Sequence, residues 1–239
     1  MTTHVTHPVR SDLPNGQALP TPAPSAASTR WALAGLGAGL TGIGAIVASL
    51  QVTVSYEQEA DWSSEKLLDE FNNQVPQILA FHVLAVISAA LMVVFAAGLF
   101  RRLRATAGPD SLVPAVAATG VLGTALTLFL GAGLDTEFVF AFADDELFVD
   151  PSNASFYGHW IATIPWCWGL LGLSGLALFV LSRSGGVARW LGIVGLVGGG
   201  ITLLAGISPL QYMAGFTGPV GLTVVALGFL VGDKAFRGR

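Results

Sequence analysis

Six long apolar runs constrain this chain more than anything else in it, at about 31–54, 76–100, 112–134, 157–182, 188–208 and 215–232. A helix rises 1.5 Å per residue, so roughly 20 apolar residues cross a ~30 Å hydrocarbon layer. Five runs reach that length; the sixth is a little short and carries Gly218 and Pro219 near its start. Within lipid every backbone N–H and C=O must be satisfied inside the segment, so each run is predicted to be a helix. The alternating pattern of a membrane β-barrel is absent from the sequence. The expected fold is all-α, a polytopic membrane bundle of six transmembrane helices spanning residues 30–239.

Composition agrees. Of 239 residues, 53% are hydrophobic and only 11% charged, where a soluble domain carries about 25% charged. Residues 1–29 are polar and rich in Pro, Thr, Ser and Ala, as in Pro20-Thr21-Pro22-Ala23-Pro24-Ser25. Such a segment lacks the apolar surface to offset its ordering entropy, and a disordered cytoplasmic tail is expected there. The first apolar run starts at Trp31 and is a full span long, which reads as an uncleaved signal-anchor.

Charge sets the orientation. Arg10, Arg30, Arg101, Arg102, Arg104, Arg183, Arg189, Lys234, Arg237 and Arg239 fall on one side of a six-span bundle, and only Lys66 on the other. The positive-inside rule then places both termini in the cytoplasm of a plasma (inner) membrane. Twelve of the 15 acids fall on the outer side. Trp31 and Trp190 mark the inner boundary, and Tyr56, Tyr157, Trp160 and Tyr212 the outer one, the levels that amphipathic rings favour.

Both larger loops are expected outside. In the first, Ser63-Ser64-Glu65-Lys66-Leu67-Leu68-Asp69-Glu70-Phe71 combines a serine cap, early acid and spaced apolar residues, which predicts a short separate amphipathic helix. The second, Thr136 to Phe156, places Phe138, Phe140 and Phe142 among acids, and those rings are expected to pack on the bundle. Its Asp144, Asp145, Glu146, Asp150 and Asn153 are read as a solvated acidic loop rather than a calcium site, since the EF-hand pattern is missing.

An internal echo runs through the chain. Arg30-Trp31 opens a glycine-rich span ending Ser49-Leu50-Gln51, and Arg189-Trp190 opens another ending Ser208-Pro209-Leu210-Gln211. The spans that follow end in Phe100-Arg101-Arg102 and Phe236-Arg237. Repeated helical hairpins are the reading. The Phe100-Arg101-Arg102-Leu103-Arg104 loop and the Arg189-Trp190-Leu191-Gly192-Ile193-Val194-Gly195-Leu196 opening resemble six- or seven-span bacterial integral membrane proteins grouped as a domain of unknown function. The resemblance covers about residues 30–230. It implies the multi-span fold and brings no catalytic residues.

Several chemistries lose their signatures. A net charge of −4 excludes a basic nucleic-acid footprint. The single cysteine, Cys167, excludes an intrachain disulfide and a CxxC pair. No GxxxxGK[ST], GxSxG or HExxH occurs.

Two sets of residues remain as candidates. His82, Asp135, Glu137 and His159 all fall near the outer end of the bundle. Imidazole with carboxylate suits a transition metal when the geometry converges, and ionisable groups at membrane depth are functional candidates by default. The competing reading is a hydrogen-bonded His82 and a boundary His159. No cofactor is otherwise expected. The second set is Gly198, Gly199 and Gly200 at the midpoint of span five, with Trp166 and Trp168 near Pro165 in span four, as lining of a ligand pocket. Close helix packing through small residues is the competing reading. The expected function is an integral membrane protein acting as an accessory or structural subunit, its partners lipid and a membrane protein or second copy. A small-molecule permease or binding protein is the alternative, and a membrane-embedded metal-dependent enzyme the third.

Overall fold

The computed structural model describes residues 29–52, 64–142 and 156–232. Among these residues the fold is helical, without strands, and six helices are long and apolar enough to cross a membrane. They are α1 (Trp31–Ser49), α2 (Ser64–Arg104), α3 (Val113–Phe142), α4 (Leu171–Arg183), α5 (Arg189–Ile207) and α6 (Gln211–Gly232). The expected tail up to residue 28, the acidic loop residues 144–153 and the basic residues beyond 232 lie outside the described residues.

Each helix packs on the next, and α6 returns to α1, so the six close into a ring. Its interior is filled by Met92, Phe95, Leu99, Leu128, Trp168, Leu178, Leu222 and Phe229, all essentially inaccessible. Leu33, Leu40, Phe129, Leu130, Ile201 and Leu204 point outward. In water so much exposed apolar surface would drive aggregation; in a bilayer it meets acyl chains.

Three elements depart from the sequence expectation. The predicted short helix at 63–71 is instead the first part of α2, which runs 41 residues without a break, about 62 Å at 1.5 Å per residue. Pro76 lies inside it. The backbone bond that proline removes belongs to the carbonyl four residues earlier, at Asn72. Asn72 and Asn73 are exposed, so that carbonyl can be hydrated. Likewise α3 continues past residue 134 to Phe142. Phe138 packs on Tyr157 and Phe156 at ring separations of 5.4 and 6.3 Å. Phe140, by contrast, is 72% exposed.

The fourth span is not one helix over 157–182. A π-helical turn (Tyr157–Ile161) is followed by a 3-10 turn (Ile164–Trp166), and Cys167 leaves helical geometry at ψ 72°. Pro165, with no N–H, cannot continue an i to i−4 ladder. The membrane-spanning part is Ile164–Arg183. The break turns Trp168 into the middle of the ring, where it is 1% exposed, and its Nε1–H donates to the Pro165 carbonyl at 3.0 Å.

Small residues let the backbones meet. A Cβ on Gly175 of α4 would lie 2.5 Å from the Gly195 carbonyl oxygen and 2.8 Å from the Gly199 Cα. Close approach of this kind is how helices associate in lipid, where hydrophobic burial gives no drive. At the arginine-rich end, Arg102 is buried and donates to the Gly186 carbonyl at 3.3 Å, which ties the two basic loops together.

The internal echo acquires a structural counterpart. Trp31 sits against Gly98 of the next helix, and Trp190 against Gly228 and Gly232 of the next helix. In both hairpins the opening tryptophan fills the space that a missing Cβ leaves on its partner.

Candidate functional site

The polar residues of interest gather at the end of the bundle opposite the arginine loops. Asp135 lies 22 residues after Val113, the first residue of α3, about 33 Å along the helix, and so near the far edge of a hydrocarbon layer. It is 0% exposed. Around it the far end is packed with Phe71, Ile78, Val139, Tyr157 and Ile161.

Tyr157 reaches this position because the π turn before the fourth span folds back over α3. Its ring meets Phe71 edge-on at 5.5 Å. Its hydroxyl is close enough to Asp135 to interact with the carboxyl. Neither carboxylate oxygen, however, has a partner in full hydrogen-bonding geometry among the described residues. Burial, and then the negative charge of Asp135, push the Tyr157 phenol above its ordinary value, so it stays a protonated donor.

One turn closer to the arginine end, His82 of α2 is half-buried and donates Nδ1–H to the carbonyl oxygen of Ala132 on α3, at 2.5 Å. That bond fixes the register of two antiparallel helices. Asp135 lies three residues beyond Ala132 on α3, one turn farther from the arginine end. The Oε1 of Gln77 is also buried without a partner among the described residues.

The structure thus brings Asp135 and Tyr157 together, with His82 a turn away. It does not bring Glu137 to them. Glu137 is two residues on, about 200° around the helix, and exposed. His159 lies in the π turn, and its side chain is outside the description. With Nδ1 given to Ala132, His82 keeps only Nε2 for a ligand. Among the described residues no group of three or more His, Cys, Asp or Glu side chains converges to hold a metal ion. A transition-metal centre needs such convergence; of the expected set, Glu137 is turned away from Asp135, and the side chain of His159 lies outside the described residues.

The second candidate set also divides. Gly198 and Gly199 line a cavity of about 40 Å³ inside the ring, together with Phe95, Ser174, Thr202 and Leu222. Gly200, Trp166 and Trp168 do not line it. Trp166 is instead a joint: its Nε1–H donates to Ser49 Oγ at 2.9 Å, and its ring meets Phe216 edge-on at 5.0 Å. A larger cavity, about 340 Å³, opens beside the break in span four, lined by Thr127, Cys167, Gly169, Leu170, Leu203, Gly206, Ile207 and Gln211.

Sequence reasoning passed over Tyr157 and Gln77. Tyr157 reads as a boundary anchor, because nothing local reveals that the π turn folds it inward. Gln77 stands at helical spacing from Phe81 on an apolar face, a pattern that could have flagged a buried amide.

Comparison with protein-family models, with curated proteins and with solved structures finds no match for this chain. The class it belongs to therefore follows from the fold. Six apolar helices in a closed ring, with apolar residues facing out, define a multi-pass helical membrane protein.

Proposed function

We propose that this chain is a bacterial plasma-membrane protein, both termini cytoplasmic, that serves as an accessory or structural subunit rather than an enzyme. The observation that supports this reading is the filled interior. Where a permease would carry solute, backbones of α4 and α5 touch through Gly172, Gly175, Gly195 and Gly199, and the adjoining cavity is about 40 Å³. Small-molecule sites run to roughly 300–1,000 Å³. The orientation rests on Arg101, Arg102, Arg104, Arg183 and Arg189 sharing one end. The test is extraction into native nanodiscs followed by native mass spectrometry. Co-purification of one membrane protein at fixed stoichiometry, reproduced when that partner carries the tag, is the expected result. A chain that runs alone and moves solute into proteoliposomes would sink it.

A specific feature favours a second reading, a small-molecule binding protein or permease. The 340 Å³ cavity lies beside a discontinuous span, and interrupted helices form the binding sites of many transporters. Labelling Cys167 with a small maleimide, and finding that a solute protects it, would favour this reading over the first.

A further inference from the structure

We propose that the cavity of about 340 Å³ beside the break in span four binds a membrane glycerolipid, with one acyl chain in the cavity and its ester carbonyl on the backbone N–H groups of Gly169 and Leu170. The inference rests on the binding-protein reading above and names its ligand. The volume falls within the range of small-molecule sites. Most of the wall is apolar: Leu170 at the break, Leu203 and Ile207 on α5, and Gly169 in backbone contact with Gly206. Leu170 and Ile207 are 47% and 73% exposed. The cavity therefore opens on the outward face of the ring, where the surrounding medium is acyl chain rather than water.

The break supplies the polar end of the site. Helical bonding lapses at Cys167: the Trp168 N–H turns back to the Trp166 carbonyl oxygen at 2.9 Å, and the ladder resumes with the Leu171 N–H on the Trp168 carbonyl oxygen at 3.0 Å. Between them the N–H groups of Gly169 and Leu170 have no hydrogen-bond partner among the described residues. Backbone polar groups at membrane depth are satisfied by protein or by what fills the cavity they border, and two donors call for an acceptor. None of the described residues lining the cavity is acidic or basic, so nothing there compensates a charged group. A neutral carbonyl joined to an alkyl chain meets both conditions, and the ester of a glycerolipid is such a group. Gln211, exposed and next to Tyr212 at the outer boundary, lines the same cavity. The charged head group stays at that level, in water.

The experiment uses the full chain, stripped of lipid by prolonged washing in detergent, with dioleoyl phosphatidylglycerol added in mixed micelles. Native mass spectrometry counts bound lipid, and a small maleimide reports on Cys167 in the cavity wall. The expected result is an adduct of one lipid per chain and a saturable loss of Cys167 labelling. The dialkyl ether analogue, which lacks ester carbonyls, should bind about three- to tenfold more weakly. Thr127→Phe, which fills the cavity, should remove the adduct, and Leu204→Ala on the outward face of α5 should keep it. Should Thr127→Phe fail to fold, the ether comparison decides. A reactive Cys167 that phospholipid leaves unprotected overturns the proposal, as does an ether lipid bound as tightly as the ester or an adduct unchanged in folded Thr127→Phe. Loss of the adduct in Leu204→Ala also overturns it and marks the lipid as annular. Protection by oleate alone overturns it in favour of a free fatty acid. Protection by a water-soluble solute alone overturns it and leaves the binding-protein reading standing, whereas a Cys167 unreactive in the stripped protein sinks that reading as well.

Discussion

His82 donates its Nδ1–H to the backbone carbonyl oxygen of Ala132, one turn from the buried carboxyl of Asp135. The bond links α2 and α3 where both are leaving the hydrocarbon. It selects the tautomer of the ring and sets which turns of the two helices lie level. Replacing His82 by Leu should lower stability by about 0.5–1.5 kcal/mol, the net worth of one neutral hydrogen bond. Thermal unfolding in detergent measures this, and an unchanged Tm would show that the bond contributes nothing.

The glycines divide into two groups by what surrounds them. At Gly175 a methyl group would meet the backbone of α5, so Gly175→Ala should cost about 1–3 kcal/mol through forced separation of the helices. At Gly198 and Gly221 nothing lies within 4 Å of an added Cβ. Gly198→Ala and Gly221→Ala should be neutral, or stabilising by up to about 1 kcal/mol through helix propensity. Equal losses at all three positions would refute this account of the packing.

Trp166 and Trp168 are two residues apart and should respond differently. Trp168 fills the centre of the ring beside Gly42 and Gly218. Trp168→Ala should cost about 3–5 kcal/mol, or prevent stable extraction. Trp166→Phe keeps an aromatic ring and loses the bond to Ser49, a change of about 0.5–1.5 kcal/mol. Comparing the two by thermal unfolding tests whether the broken span exists to deliver Trp168.

Arg102 holds the loop between α4 and α5 through Gly186, and Thr106 Oγ1 donates to the same carbonyl at 3.2 Å. Arg102→Ala should free that loop. Trypsin cleavage after Arg183 and Arg189 should then be faster, read by gel after limited proteolysis in detergent. An identical cleavage rate in the variant would mean that the loop is held by other contacts.

Much of the architecture is legible in the chain because lipid leaves a segment few options. Six apolar runs, the last of them a little short, become six helical spans, since a backbone without water must bond to itself. The Arg30-Trp31 and Arg189-Trp190 repeats are legible too, and the structure gives them a shared role against glycines. The candidate site was legible only in part. Asp135 and His82 stand out as polar residues in apolar runs. That Glu137 points away from Asp135 depends on α3 continuing as a helix, where the sequence suggested a loop.

Composition and spacing by themselves determined the solvent, the number of spans and the basic end of the bundle, because each is a sum over local free energies of transfer. Tertiary structure decided which residues meet. It closed α6 on α1, broke the fourth span to seat Trp168, and folded Tyr157 over Asp135. Those outcomes depend on side-chain volumes and backbone approach between helices distant in sequence, as at Gly175 and Gly199, and no local pattern records them.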